Sequence, residues 1–324
     1  MQAKILIPAL MSAAVLGWSV TAGATNITMR LGHGQSTKDV IHLAALEFKK
    51  SLEEKTHRQV RVLIYPSSQL GKIRDMFEGL RLGTIHAVFD APSRLANYTP
   101  LGDVFKLPYL VETREQAEAM WASKYGQSIL SDIAEESGIS VVAVAWRGAR
   151  NITSNREIHA PDDMAGLKIR VPPNDLPVAI FRTLGASPTP MEFNEVYLAL
   201  QQGIIDAQEN PLVTCWTSRL QEVTKYLVLT GHIKDSAGIM MGKDYLDSLP
   251  ADVRQAVREA AAVAAKFHGD FVEKEDAQYV QKFKDAGVTV IEPDQKKFRA
   301  KFNGFVQNYN PKLGEFVAKV HALK

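Results

Sequence analysis

Strand-like and helix-like segments alternate along this chain, and that alternation limits the available folds more than any other feature. In the first half, runs with the two-residue period of a strand alternate with runs that have apolar residues at helical spacing, at 26–31, 39–55, 60–65, 73–81 and 85–90. The second half repeats the theme at 140–146, 168–171, 195–201 and 204–207. Such alternation is typical of an α/β protein with a largely parallel sheet.

Two helix-to-strand junctions, at 80–87 and 200–207, have similar sequences. Both carry Leu, Gly, Ile and Ala at equivalent positions, and Phe77 and Tyr197 stand three positions before the Leu. Such junctions are common, so coincidence is one interpretation. We favour two lobes of similar build that present equivalent junctions to a shared cleft. Ligands of open α/β sheets bind at the carboxyl ends of strands, and a cleft between two lobes is a natural ligand site.

A helical pattern starts at Pro250 and continues to Gly287, which is longer than an ordinary helix of a globular protein. Ser248 is the expected cap of this helix, and Gly269 is a plausible position for a bend or a break. The length of the pattern predicts a helical spine that is shared by both lobes.

The first 24 residues have the three-part layout of a secretory signal peptide. Lys4 gives a positive start, 5–20 is apolar, and 22–24 places small residues at both specificity positions of a cleavage site. The alternative is a transmembrane anchor, but the run of about 16 residues contains Pro8 and is shorter than the roughly 20 that span a bilayer. We predict that 1–24 is removed after Ala24 and that the mature chain is periplasmic and does not span the membrane.

Composition excludes several classes of protein. The 324 residues include 38 Lys+Arg and 36 Asp+Glu, a formal net charge of +2, whereas a nucleic-acid-binding protein normally has a clustered basic excess. One Cys excludes an intrachain disulfide and a CxxC site. We expect Cys215 to be a buried, inert thiol rather than a catalytic one, because its surroundings in the sequence are apolar.

Motifs of the common enzyme classes are absent from the sequence. It has no GxSxG, HExxH, GxxxxGK[ST] or GxGxxG, and its histidines lack the spacing of zinc ligands. We therefore expect no cofactor and no metal. An exported enzyme that uses Glu209 or a His as base remains an alternative.

Two arginines have unusual sequence surroundings. Arg170 lies inside a strand-like KIRVP segment, and Arg150 follows a predicted strand. A buried guanidinium needs an anion or an acceptor because its charge cannot be removed at neutral pH, and its planar fork fits a carboxylate. That carboxylate could belong to a ligand or to a protein side chain such as Glu209. The residues leave both interpretations open for Arg170 and favour the internal salt bridge for Arg150.

Three long segments resemble the solute-binding proteins of tripartite ATP-independent periplasmic (TRAP) transporters, a family that binds carboxylates. They are YPSSQLGKIRDMFEGLRLGTIHAVFD, SNREIHAPDDMAGLKIRVP and LGASPTPMEFNEVYLALQQGIIDAQENP. The resemblance spans essentially the whole mature chain. It implies two hinged α/β lobes, crossed by a long helix, that close around one organic acid. On this basis we assign 25–147 with about 234–272 to one lobe, and 148–233 with about 273–324 to the other.

The resemblance also implies roles for particular residues. Arg170 matches the family arginine that forms a salt bridge with the ligand carboxylate, and Asn210 matches an asparagine that supports it. Arg150 matches a second arginine near the same group. Phe193 matches a wall residue of the cleft.

Three positions depart from the sialic-acid-binding branch of this family. Where that branch carries asparagine, glutamate and a polar residue, this sequence has Gly34, Ala91 and Pro173, which speaks against sialic acid. His33, Asp90 and Asn174 lie near those loops and are candidate ligand contacts. The alternative for each is a turn or loop residue without a ligand.

We therefore predict a monomeric, non-enzymatic receptor that binds a C4-dicarboxylate or a sugar acid, such as a uronate or an aldonate. The resemblance implies that it delivers the ligand to the membrane permease subunits of a TRAP transporter. A periplasmic partner that reports ligand occupancy to a membrane receptor is a second alternative.

Overall fold

The computed structural model describes residues 27–322, so the predicted signal peptide lies outside the described residues. The strands are β1 Ile27–Gly32, β2 Val60–Tyr65, β3 Ala87–Asp90, β4 Ile139–Ser154, β5 Lys168–Val171, β6 Ser187–Pro190, β7 Ala207–Pro211, β8 Tyr226–Gly242 and β9 Thr289–Ile291. The helices are α1 Val40–Lys55, α2 Ile73–Arg81, α3 Arg114–Ala122, α4 Lys124–Ser137, α5 Asp175–Thr183, α6 Val196–Gln201, α7 Leu212–Thr217, α8 Lys243–Ser248, α9 Ala251–Asp285, α10 Gln295–Ala300, α11 Phe305–Tyr309 and α12 Pro311–His321. The predicted α/β class is confirmed.

The strands form one sheet in the order β2-β1-β3-β8-β4-β7-β5-β6, with β9 paired to β8. Pairing is parallel within β2-β1-β3 and within β7-β5-β6. The two longest strands, β4 and β8, are antiparallel to each other, and each is antiparallel to its other main neighbour, β7 or β3. β9 pairs with β8 in parallel. The sheet is therefore mixed, and the expectation of a largely parallel sheet fails at the pairings of the two long strands with each other and with β3 and β7.

β4 and β8 each belong to both halves of the molecule. The first part of β4 pairs with the part of β8 next to β3, and the last part of β4 pairs with β7 and with the start of β8. The register shifts between Trp146 and Ala149 and again between Arg150 and Ile152. We call the half with β1–β3 lobe I, the half with β5–β7 lobe II, and the shifted stretch the hinge. The residue bounds predicted for the lobes stay a prediction.

Helix α9 contacts α1 in lobe I, α7 in lobe II and β4 between them, as expected of a shared spine. It continues through Gly269, so the predicted possibility of a break there is wrong. The glycine instead allows the Arg114 side chain to pack closely against α9, because a Cβ at position 269 would lie 3.1 Å from the Arg114 guanidinium. The predicted Ser248 cap is also wrong, since the N-cap is Pro250 and the Ser248 hydroxyl donates to the Tyr245 carbonyl at 2.7 Å.

The two similar junctions fold alike. Gly83 and Gly203 follow the ends of α2 and α6 with φ of 68° and 69°, a left-handed conformation that favours glycine. The strands that follow, β3 and β7, bring their carboxyl ends to the cleft between the lobes. The junctions themselves lie at the opposite ends of these strands, so the expectation that they face the cleft is wrong.

Gly148 in the hinge packs directly against α9. Its φ is +80°, and a Cβ would lie 2.9 Å from both the Asp276 carboxylate and a Val272 methyl group. We expect Gly148→Ala to lower the free energy of unfolding by about 2 to 3 kcal/mol, because the substitution adds backbone strain to a steric collision. Thermal or urea unfolding measures this loss.

Gly138→Ala is a matched control, because Gly138 has a similar φ of +72° but a Cβ there meets nothing within 4 Å. We expect a loss of only about 1 kcal/mol from backbone strain at this position. Equal losses in the two variants would contradict the close packing of α9 on the hinge.

Candidate ligand-binding site

A cavity lies between the lobes and receives residues from both. The carboxyl end of β3 contributes Asp90 from lobe I, and the carboxyl end of β7 contributes Asn210 from lobe II. Six cationic and two acidic side chains line the cavity: Lys72, Arg94, Lys106, Arg147, Arg150 and Arg170, with Asp90 and Glu192. This excess of positive charge among the lining side chains favours an anionic ligand.

Arg170 lies on the buried strand β5 and is 1% exposed. Its Nε donates to the Met191 carbonyl at 2.8 Å, and its guanidinium carbon lies 5.7 Å from the centre of the Phe193 ring. Within residues 27–322, its Nη2 has no hydrogen-bond partner and no carboxylate lies within 4.0 Å of the guanidinium. Burial, together with the nearby charge of Arg94, lowers the pKa of Arg170 to about 9. Arg170 is therefore a buried cation that lacks an anion.

Arg150, 1% exposed on β4, has the opposite environment. Its guanidinium binds the carboxylates of Glu209 and Asp235, with Nη2 to Glu209 Oε1 at 2.7 Å and Nη1 to Asp235 Oδ2 at 2.5 Å. Nη2 also donates to Asn210 Oδ1 at 2.9 Å. The internal salt bridge with Glu209, favoured from the residues alone, is present. Arg150 also lines the cavity, and a direct contact with a ligand stays a prediction.

Glu209 and Asp235 are the buried counterions of this arginine. Burial alone would raise the pKa of each carboxyl, but Arg150 more than offsets that effect and holds both pKa values below their usual range. Glu209 is therefore ionised at neutral pH, but its lowered pKa and its ion pair with Arg150 make it a weak base.

Asn210 and Phe193 complete the surroundings of Arg170. Asn210 accepts from Arg150 and donates one amide hydrogen to Gln208 Oε1 at 2.7 Å. These two bonds fix the orientation of an amide that has a second hydrogen to donate. Phe193 follows β6 and presents its ring to the cavity. The structure thus brings together Arg170, Asn210 and Phe193, three of the predicted contacts.

Asp90 supplies an acceptor on the lobe I side. Its Oδ1 accepts from the Ala91 amide at 2.6 Å, while Oδ2 is buried and has no partner among the described residues. The Gln35 Oε1 atom, from the loop after β1, is buried and unpartnered in the same way. Buried acceptors of this kind require a donor, and the hydroxyl groups of a ligand would supply it.

The other two predicted contacts lie outside the lining of the cavity. His33 is buried behind it, with its Nε2 3.0 Å from His42 Nδ1. Burial, reinforced by His42, lowers the pKa of His33 to about 4, so the ring is neutral at pH 7. Asn174 precedes α5 and donates to Asn97 Oδ1 at 2.9 Å. This bond joins the two lobes.

Sequence reasoning missed several lining residues, among them Gln35, Arg94 and Lys106. Lys106 could have been noticed, because it interrupts the apolar run VFKLPYL. Gln35 and Arg94 lie in loops whose positions depend on tertiary packing, and nothing in the local sequence singles them out.

Cys215 is buried, and burial raises its pKa to about 12, which agrees with the predicted inert thiol. Across 27–322, no cluster of three or more His, Cys, Asp or Glu side chains is arranged to hold a metal ion. None of the helices in that range combines the length and apolar character needed to cross a bilayer.

A two-lobed α/β fold with a positively charged cleft at its hinge is the architecture of a periplasmic binding protein. Residues 31–312 match the family described as bacterial extracellular solute-binding protein, family 7. The chain belongs to this family, the solute-binding proteins of TRAP transporters, as its motifs predict.

Relatives in this family are similar over most of their length. A solute-binding protein of Roseobacter denitrificans is 34% identical over 285 residues, which cover 87% of this chain and 86% of the relative. The C4-dicarboxylate-binding periplasmic protein of Rhodobacter capsulatus is 34% identical over 278 residues, which cover 85% and 82%.

A crystal structure of a TRAP periplasmic solute-binding protein from Roseobacter denitrificans with bound L-galactonate superposes with a TM-score of 0.87. It is 31% identical, and the match covers 92% of this chain and 99% of that one.

Proposed function

We propose that this protein is a periplasmic receptor for a polyhydroxy monocarboxylate, an aldonate or a uronate, which it delivers to the membrane subunits of a TRAP transporter. The observation that carries the proposal is the buried guanidinium of Arg170, which lines the cleft and has an unpartnered Nη2 and no carboxylate within 4.0 Å among the described residues. A ligand carboxylate would form charge-assisted hydrogen bonds with its planar fork. The family, the predicted signal peptide and the L-galactonate bound by the Roseobacter relative support it.

The unpartnered acceptors favour a sugar acid over a C4-dicarboxylate. Asp90 Oδ2 and Gln35 Oε1 need hydrogen-bond donors, and a polyhydroxy chain has one on most of its carbons. A second carboxylate offers only acceptors at neutral pH and can donate to neither of these atoms.

A receptor without enzymatic activity is the function that these side chains support. Glu209, the base of the enzymatic alternative, is ion-paired with Arg150, and its pKa is held low. Recovery of an unchanged sugar acid after long incubation would agree with the proposal, and its conversion to a product would contradict it.

A thermal-shift screen of aldonates, uronates and C4-dicarboxylates tests the proposed ligand class. A ligand at a hundredfold excess over its dissociation constant stabilises the folded state by about 2.7 kcal/mol, so a sugar acid should raise the melting temperature clearly. Stabilisation by dicarboxylates alone, or by no acid, would refute the proposed class.

Asp90→Asn keeps the size of the side chain and removes its charge. We expect the dissociation constant for L-galactonate to rise about ten- to hundredfold, because a hydrogen bond to a charged group contributes about 1.5 to 3 kcal/mol. Succinate, which has no hydroxyl group, is the control ligand and should bind the variant no more weakly than the wild type. Calorimetric titration measures both. Unchanged affinity for L-galactonate would show that Asp90 does not contact the ligand.

A further inference from the structure

Lys106 is a buried cation of lobe I that the binding site described so far does not use. It is the last residue of the 3₁₀ turn Pro100–Lys106, and it is 5% exposed. Its neighbours Val104, Phe105 and Leu107 are buried apolar residues. Its side chain lines the same cavity as Arg170. Burying an ammonium group in such surroundings without a hydrogen-bond acceptor has a high cost in free energy.

The carboxylates near Lys106 are bonded to other groups. Glu209 binds Arg150, and Asp235 binds both Arg150 and Arg147, the latter at 3.5 Å. Among the residues that the structure describes, no carboxylate oxygen lies within 4.0 Å of Lys106 Nζ, and the carboxylates nearby are paired with Arg150 and Arg147. Lys106 is therefore in excess of the internal ion pairs, as Arg170 is.

We infer that Lys106 is a second cationic contact for the ligand, contributed by lobe I, so that an anion in the cleft is bound from lobe I by Lys106 and from lobe II by Arg170. This inference rests on the proposed function. It adds that the negative charge of the ligand joins the two lobes, because within residues 27–322 neither cation has a carboxylate within 4.0 Å. Binding would then favour the closed arrangement through contacts that only this arrangement allows.

The protonation of Lys106 gives this contact a measurable signature. Burial and the charge of Arg150 lower the pKa of Lys106 to about 7, with Asp235 and Glu209 opposing that effect and Arg94 adding to it. A bound anion favours the charged amine and raises this pKa. Above pH 7, binding must therefore take up a proton, and affinity falls as the pH rises towards the pKa of the complex. A sugar acid keeps its charge in this range, because carboxyl pKa values lie near 4.

The test is calorimetric titration of the full-length mature protein with L-galactonate at pH 6.5, 7.5 and 8.5, using the wild type and Lys106→Met. The dissociation constant of the wild type should rise about three- to thirtyfold between pH 6.5 and 8.5, up to the limit of tenfold per pH unit for one proton. Lys106→Met should bind more weakly at pH 6.5 and should lose this dependence. Titration of the wild type at pH 7.5 in buffers of different ionisation enthalpy measures the proton uptake without any substitution.

Asp276→Asn is the matched control. Asp276 lies at the hinge beside Gly148, and burial raises its pKa to about 7, so its titration is the main competing cause of a pH effect. This variant should keep the pH dependence of the wild type.

Three results would overturn the inference. They are a pH dependence that survives in Lys106→Met, one that disappears in Asp276→Asn, and the absence of proton uptake by the wild type. In each of these cases L-galactonate still binds. Failure of the wild type to bind any sugar acid at any pH would instead remove the proposed function, and this inference with it.

Discussion

Arg170→Met is expected to lose measurable binding of L-galactonate while the protein stays folded. Truncating one partner of a buried charge pair costs about 2 to 5 kcal/mol of binding free energy, so the dissociation constant should rise at least thirtyfold. The unliganded fold should lose little, since Arg170 has no carboxylate to leave unpaired in the part of the chain that the structure describes, where it donates to the Met191 carbonyl. Methionine fills a similar volume and removes a buried charge.

Two measurements on the same sample separate binding from folding. Calorimetry with L-galactonate gives the affinity, and urea unfolding without ligand gives the stability. Unchanged affinity in Arg170→Met would refute the role of Arg170 as a carboxylate ligand. A loss of several kcal/mol in the stability of the unliganded protein would show that Arg170 has a protein partner.

Arg150→Met should give the opposite result, a large loss of stability. Arg150 binds both Glu209 and Asp235, and its removal leaves two buried carboxylates without their main cation. Breaking a buried ion pair by removing one partner costs about 3 to 5 kcal/mol. We expect a loss in this range at pH 7, measured by urea unfolding without ligand.

The pH dependence of that loss tests its cause. Without Arg150, burial should raise the pKa of Glu209 above its unfolded value. The variant is then more stable at low pH, where the Glu209 carboxyl is protonated, and it loses this stability as the pH rises through the pKa of Glu209 in the folded state. The loss in Arg150→Met should therefore be smaller near pH 4.5 than at pH 7. A neutral effect on stability at both pH values would contradict the structural role of Arg150.

Much of the fold could be predicted because its signals are local. β2, α2 and β5 have the predicted bounds, since each shows a clear period. The extent of β4 could not be predicted in this way. It continues from the predicted 140–146 to Ser154 because β7 and β8 pair with its far end, and those partners are remote in sequence.

The site was predictable where a charge interrupts an apolar pattern. Arg170 in the KIRVP strand is such a case, and its lack of a protein anion is what distinguishes it from Arg150. The sequence could not separate these two arginines, because the difference depends on where Glu209 and Asp235 lie in the folded chain. Lys106 also interrupts an apolar run, VFKLPYL, which marks it as unusual, but its place in the cavity depends on the packing of a loop.

A crystal structure of the mature protein with L-galactonate would show whether Arg170 binds the ligand carboxylate. We expect this carboxylate to lie about 2.7 to 2.9 Å from the guanidinium nitrogens of Arg170, with a hydroxyl group of the ligand donating to Asp90 Oδ2. A carboxylate bound away from Arg170, or Arg170 paired with a protein carboxylate in the occupied cleft, would contradict this expectation.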